Sequence, residues 1–120
     1  MATAGELIGR LFFARNVAHK EHLLTTLYSR HKALNDYYDA VVGLADKFAE
    51  GYMGKYGRPD DIALTWAEDA EDIQSFIQAT AEWIEANRLS IAPNRDTYLQ
   101  NILDEIIALH YDTAYLLTLN

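Results

Sequence analysis

Residues 51–65 read Gly51-Tyr52-Met53-Gly54-Lys55-Tyr56-Gly57-Arg58-Pro59-Asp60-Asp61-Ile62-Ala63-Leu64-Thr65, and this stretch decides the fold. Three of the six glycines and one of the two prolines of the chain lie in it. Glycine favours left-handed helix exits and proline cannot continue a helical hydrogen-bond ladder, so a helix is expected to stop at about Gly51. On either side the apolar residues recur with helical period. About residues 3–24 carry Leu7, Ile8, Leu11, Phe12, Ala14 and Ala18 on one stripe, and about residues 27–50 carry Leu27, Leu34, Val41 and Phe48 at heptad spacing. After the glycine-rich stretch, about residues 66–87 place Ile73, Phe76, Ile77, Thr80, Trp83 and Ile84 inward. Following Pro93, a fourth helix capped by Asn94 or Asp96 aligns Leu99, Ile102, Leu103, Ile106, Leu109, Thr113, Leu116 and Leu117.

Four helices of about six turns predict an all-α four-helix bundle occupying residues 1–120 as a single domain. The first and last joins are short and make antiparallel hairpins. A middle join of ~15 residues is longer than neighbouring helices need, and at ~3.3 Å per extended residue it can travel the length of the bundle. That predicts a ferritin-like four-helix bundle with a long crossover between helices two and three, in which residues 60–64 form a short helix. Trp66 and Trp83 read as core anchors, and Tyr37 and Tyr38 as core or dimer-seam residues whose hydroxyls reach polar partners.

Composition narrows the chemistry. The chain has no cysteine, which excludes disulfides, thiolate metal sites and Cys nucleophiles. With 18 acidic against 10 basic residues the formal charge is −8, and no basic run is present, so nucleic-acid binding is not expected. No apolar window is long enough for a membrane span and no secretory leader is evident, so a cytoplasmic location is expected. The acidic clusters Asp60-Asp61, Glu68-Asp69 and Glu71-Asp72 read as solvated helix starts, or as cation-attracting channel linings in a cage.

The remaining signal is histidine and carboxylate. His19 and His22 lie late in helix one and His31 early in helix two, while Asp46 and Glu50, four apart late in helix two, share a face. At 100° per residue, His31, Asn35, Asp46 and Glu50 occupy one sector of about a hundred degrees beside the buried seam. His31 and Asp46 are nevertheless about 22 Å apart along the helix, so they cannot bind one ion within one chain. A two-fold dimer with helix two antiparallel to its copy brings His31 of one chain to Asp46 and Glu50 of the other, twice. His19 can join His31 across the first turn. Two imidazoles and two carboxylates suit iron, with manganese or zinc as alternatives. His22 could share the same ion. Asp104, Glu105 and His110 on helix four do not read as a single-chain carboxylate site, because Glu105 and His110, five apart, turn to different faces. With no metal, the same histidines are helix-flank residues and Asp46 and Glu50 a solvated face.

The spacing His19-x11-His31-x14-Asp46-x3-Glu50, and the string Asp46-Lys47-Phe48-Ala49-Glu50 against an Asp-x-x-Ala-Glu signature, resemble the ferroxidase centre of Dps-type miniferritins over about residues 10–51. The resemblance implies a ferritin-like homo-oligomer, usually a hollow dodecamer built from two-fold dimers. It would oxidise Fe(II), characteristically with hydrogen peroxide, and sequester the ferric product. It makes His19, His31, Asp46 and Glu50 the ligands, with Asn35 and His22 as accessory positions. Lys20 stands where the family usually has Trp, and Asn35 where it often has Asp. The DNA-binding N-terminal extension of many members has no counterpart before the first helix. Short Dps-like chains include phage-encoded ones, for which the location would be the host cytoplasm. The alternative is a ferritin-like assembly or interaction protein without catalysis, its metal site vestigial.

Overall fold

The computed structural model describes residues 1–64, 66 and 72–119. It contains α1 (Ala4–Leu24), α2 (Tyr28–Tyr56), α3 (Ile73–Ile91) and α4 (Thr97–Leu116), with no strand among the described residues. Local chemistry sets the ends. Thr3 accepts the Glu6 amide at 3.2 Å and caps α1, and Glu6 lies in the first turn, where a carboxylate suits the helix dipole. Asp72 caps α3 by accepting from the Gln74 amide at 3.2 Å and the Ser75 hydroxyl at 2.8 Å.

Three expected boundaries move, one of them the end of α3, which lies at Ile91 rather than about residue 87. α2 runs through Gly51 and Gly54 and stops at Gly57, whose φ of 82° is the one positive value among the described residues. A helical glycine costs about 1 kcal/mol relative to alanine and does not forbid the helix. Here the extra turns gain packing: Tyr52 and Met53 lie against the core, and Gly51 approaches Leu99 of α4. The start of the third helix shifts the other way. Trp66 is not helical, its indole N–H donates to the Ala63 carbonyl at 3.2 Å, and α3 begins at Ile73. Residues 60–64 form no helix either. Of the acidic clusters, Glu68, Asp69 and Glu71 lie outside the described residues.

α1 packs against α2 and α3, and α4 against α2 and α3. Side-chain pairs give the directions. His22 meets His31 and His19 meets Tyr38, so α1 and α2 are antiparallel. Tyr37 meets His110 and Lys47 meets Glu105, so α2 and α4 are antiparallel. Phe13 touches Phe76 while Arg10 reaches Thr80, and Arg88 reaches Asp104 while Tyr111 reaches Glu85, which orients α3 against α1 and α4. Leu7, Leu11, Leu34, Val41, Phe48, Ile77, Ile84, Leu99, Leu103 and Ile106 fill the shared core.

The connection after α2 lies directly on α1. A Cβ at Gly5 would stand 2.1 Å from the Asp61 carbonyl oxygen, and one at Gly9 would stand 2.0 Å from that of Ala63. Gly5-x3-Gly9 thus presents bare helix backbone on which the segment rests. The next residue, Arg10, is 1% exposed, its guanidinium 5.3 Å from the Trp66 ring, 5.2 Å from Trp83 and 5.5 Å from Phe76, with Thr80 accepting a hydrogen bond at 3.2 Å. Trp66 and Trp83 meet edge-on at 5.5 Å; Trp83 is half-buried against the core, whereas Trp66 is half-buried in the connection and is not part of it.

Candidate functional site

Three histidines gather at the α1–α2 hairpin. The turn at residues 25–27 is short enough for the last turn of α1 to face the first of α2. His22 Nδ1 bonds the His31 carbonyl at 2.7 Å, and His31 Nδ1 bonds the His22 carbonyl at 2.9 Å. A carbonyl only accepts, so each Nδ1 carries a proton and, in the neutral ring, each Nε2 keeps its lone pair. The two rings stack at 3.7 Å. His19 sits further back, 6.0 Å from the His22 ring and stacked at 4.4 Å on Tyr38. The Tyr38 hydroxyl donates to Asn35 Oδ1 at 2.8 Å, and the Arg15 guanidinium lies 5.1 Å from its ring.

The spacing pairs His31 with His19 and leaves His22 accessory. The structure makes His22 the direct partner of His31, buried in the hairpin, with His19 half-buried beside it. The symmetric placement of positions 22 and 31 about the turn is the signal that could have disclosed this. Asn35 is engaged with Tyr38 and Asp39. Asp46 and Glu50 are exposed on the second half of α2, on the outward side that also holds His31. Among the described residues, no three His, Asp or Glu of one chain are placed to share a metal ion. His19, His22 and His31 are brought together, and Asp46 and Glu50 stay apart from them, as the length of α2 requires.

A second polar pair lies inside the bundle. His110 is fully buried; its Nδ1–H donates to the Ile106 carbonyl at 2.7 Å, which leaves Nε2 to accept the Tyr37 hydroxyl at 2.8 Å. Burial pushes the imidazole down to about 4 and the phenol well above its ordinary value. These groups are neutral and satisfied, and they hold α2 to α4. At the far end, Asp96 starts α4 without capping it. Its buried carboxylate instead binds Lys55 Nζ at 2.5 Å and the Tyr56 hydroxyl, and these bonds hold it below the usual carboxylate range.

Fold and side-chain arrangement together define an all-α four-helix bundle with a histidine cluster at one helical hairpin. The chain belongs to the family of unknown function DUF5856, which matches residues 22–117. It is 30% identical over 116 residues to an uncharacterized 14.6 kDa protein of the mobD-ri intergenic region of Enterobacteria phage T4, covering 97% of this chain and 88% of that protein. No solved structure matches the chain. No described helix is long and apolar enough to cross a membrane.

Proposed function

We propose that this chain is a Dps-like iron-binding protein of ferritin-like topology, acting in the cytoplasm of a phage-infected host. In this reading it holds and oxidises Fe(II) at sites completed between two copies. The observation that carries the reading is the state of His31. Its Nδ1–H is fixed to the His22 carbonyl, so Nε2 is presented as a lone pair on the exposed side of α2 that also bears Asp46 and Glu50. An imidazole oriented through its other nitrogen is the usual condition of a metal-binding histidine. The topology is supported by the helix pairings: with α1 and α4 each antiparallel to both α2 and α3, α2 and α3 run the same way and their connection must climb the bundle past Gly5 and Gly9.

Two Fe(II) ions would each give one electron to one hydrogen peroxide. The O–O bond breaks, two protons are taken up and two waters leave, while carboxylate oxygen stabilises the ferric product. The test is Fe(II) addition with peroxide, followed by ferric absorbance. Wild type should exceed the protein-free rate and His31→Ala with Asp46→Ala should return to it. Equal rates for the two proteins contradict the reading. One observation favours a second reading, a non-catalytic assembly protein: Leu23, Leu24, Leu27 and Tyr28 at the hairpin tip are 70%, 67%, 48% and 76% exposed, an apolar cap suited to docking.

A further inference from the structure

The tip of the α1–α2 hairpin projects beyond α3. Phe13 of α1 touches Phe76, in the first turn of α3, and α1 runs on from there to Leu24, so the tip stands about 12 Å past the start of α3. Leu23, Leu24, Leu27 and Tyr28 are exposed on it, and the fold does not need them. Leu27 holds the N-cap position of α2, where aspartate or serine would accept an amide, and leaves that helix without a side-chain cap. The charge of the tip is opposite to that of the chain. Within residues 17–34, Lys20, Arg30 and Lys32 stand against Glu21 alone, in a protein of formal charge −8. Arg30 donates to the Leu117 carbonyl at 3.2 Å, a neutral partner, so it keeps its full charge. Lys32 lies 2.8 Å from Asp36 and Lys20 3.7 Å from Glu21, but these side chains are open to solvent, where such pairs hold weakly.

We propose that this tip docks on an anionic lipid surface, with Leu23, Leu24, Leu27 and Tyr28 entering the interface while Lys20, Arg30 and Lys32 lie against the headgroup phosphates. This names the partner of the apolar cap and is independent of the metal-binding reading. A projection of about 12 Å suits the ~5–10 Å to which interfacial apolar groups reach. The leucines supply apolar area, and a tyrosine ring favours the boundary, where its body is buried and its hydroxyl wet. The basic side chains are drawn to a negative leaflet. The other acidic residues of the chain, all outside residues 17–34, are repelled by it, which favours a tip-first approach. A second copy suits this surface less well. Two tips meeting on a two-fold axis would set cations against cations and one convex end against another, whereas a bilayer offers the opposite charge and yields to a projecting tip.

The test is flotation of the protein with vesicles of phosphatidylcholine alone, or of equimolar phosphatidylcholine and phosphatidylglycerol, in EDTA so that no metal contributes. Wild type should partition about tenfold more strongly onto the anionic vesicles, and high salt should remove the difference. Leu27→Asp should bind about tenfold less than wild type while its thermal midpoint is unchanged or higher, because aspartate caps α2 and leucine does not. Lys20→Glu with Lys32→Glu should lose the preference for anionic vesicles. On adding these vesicles, the emission of Tyr28→Trp should shift to the blue, and that of Tyr98→Trp, at the opposite end of the bundle, should not. Wild type that does not float with anionic vesicles, a Leu27→Asp variant that floats as well as wild type, or equal binding to both vesicles overturns the proposal. A protein that ignores vesicles, and whose sedimentation mass falls in Leu27→Asp, uses the tip between copies and overturns it too. With metal absent throughout, none of these results bears on the shared iron site.

Discussion

At the residue scale the protein depends on buried polar groups that are satisfied in pairs. Tyr37 and His110 form one such pair between α2 and α4. Tyr37→Phe leaves His110 Nε2 buried without a donor, and should cost about 1–3 kcal/mol in urea unfolding with little change in helix content. The same histidine sets an acid limit. Its folded value is about 4 against 6.5 when unfolded, so between those limits the unfolded chain binds a proton that the folded chain refuses. Stability contributed by neutral His110 is complete above 6.5, falls as pH drops through this window, and levels off below about 4. The total loss is about 3 kcal/mol. Unfolding curves at pH 7, 5.5 and 4 should show that decline, and it should vanish in a His110→Gln background. Asp96 adds a second loss at still lower pH. Its carboxyl is lowered from 3.8 by Lys55 and Tyr56, so the ion pair persists above that range and fails as the acid protonates.

At the element scale, the glycines divide into two kinds. Gly9 is in the path of the connection, and Gly9→Ala should cost about 1–3 kcal/mol because backbone at Ala63 must shift. Gly54 has open space around it, and Gly54→Ala should raise stability by up to about 1 kcal/mol. Thermal unfolding of the two variants should therefore move in opposite directions. This division explains what was legible in the sequence. The four apolar stripes predict α1, the body of α2, and α4 well, because periodicity reports a buried face directly. Propensity penalises Gly51 and Gly54 and so predicts too early an end for α2, while contacts with Leu99 and the core outweigh the penalty. Trp66 fits the helical stripe and so predicts too early a start for α3, yet its ring is needed over the Arg10 guanidinium. A charged residue within an apolar stripe gives no sequence warning that it will be caged by Trp66, Trp83 and Phe76. The histidines are visible in the sequence, but the pairing of His22 with His31 is not, because their reciprocal bonds depend on how tightly the hairpin closes.

At the scale of the whole molecule, the length of α2 is decisive. Fifteen residues of helix separate His31 from Asp46, about 22 Å, and no rotamer closes that gap within one chain. If these groups bind one ion, they do so across a two-fold axis. Mixing His31→Ala chains with Asp46→Ala/Glu50→Ala chains tests this most directly. Each mixed dimer pairs the intact histidine of one chain with the intact acids of the other. Mn2+ titration after unfolding and co-refolding should recover roughly a quarter of the wild-type sites at wild-type affinity, since half of the dimers are mixed and each holds one intact site of two. Metal binding that stays at the level of the separate variants contradicts the shared site.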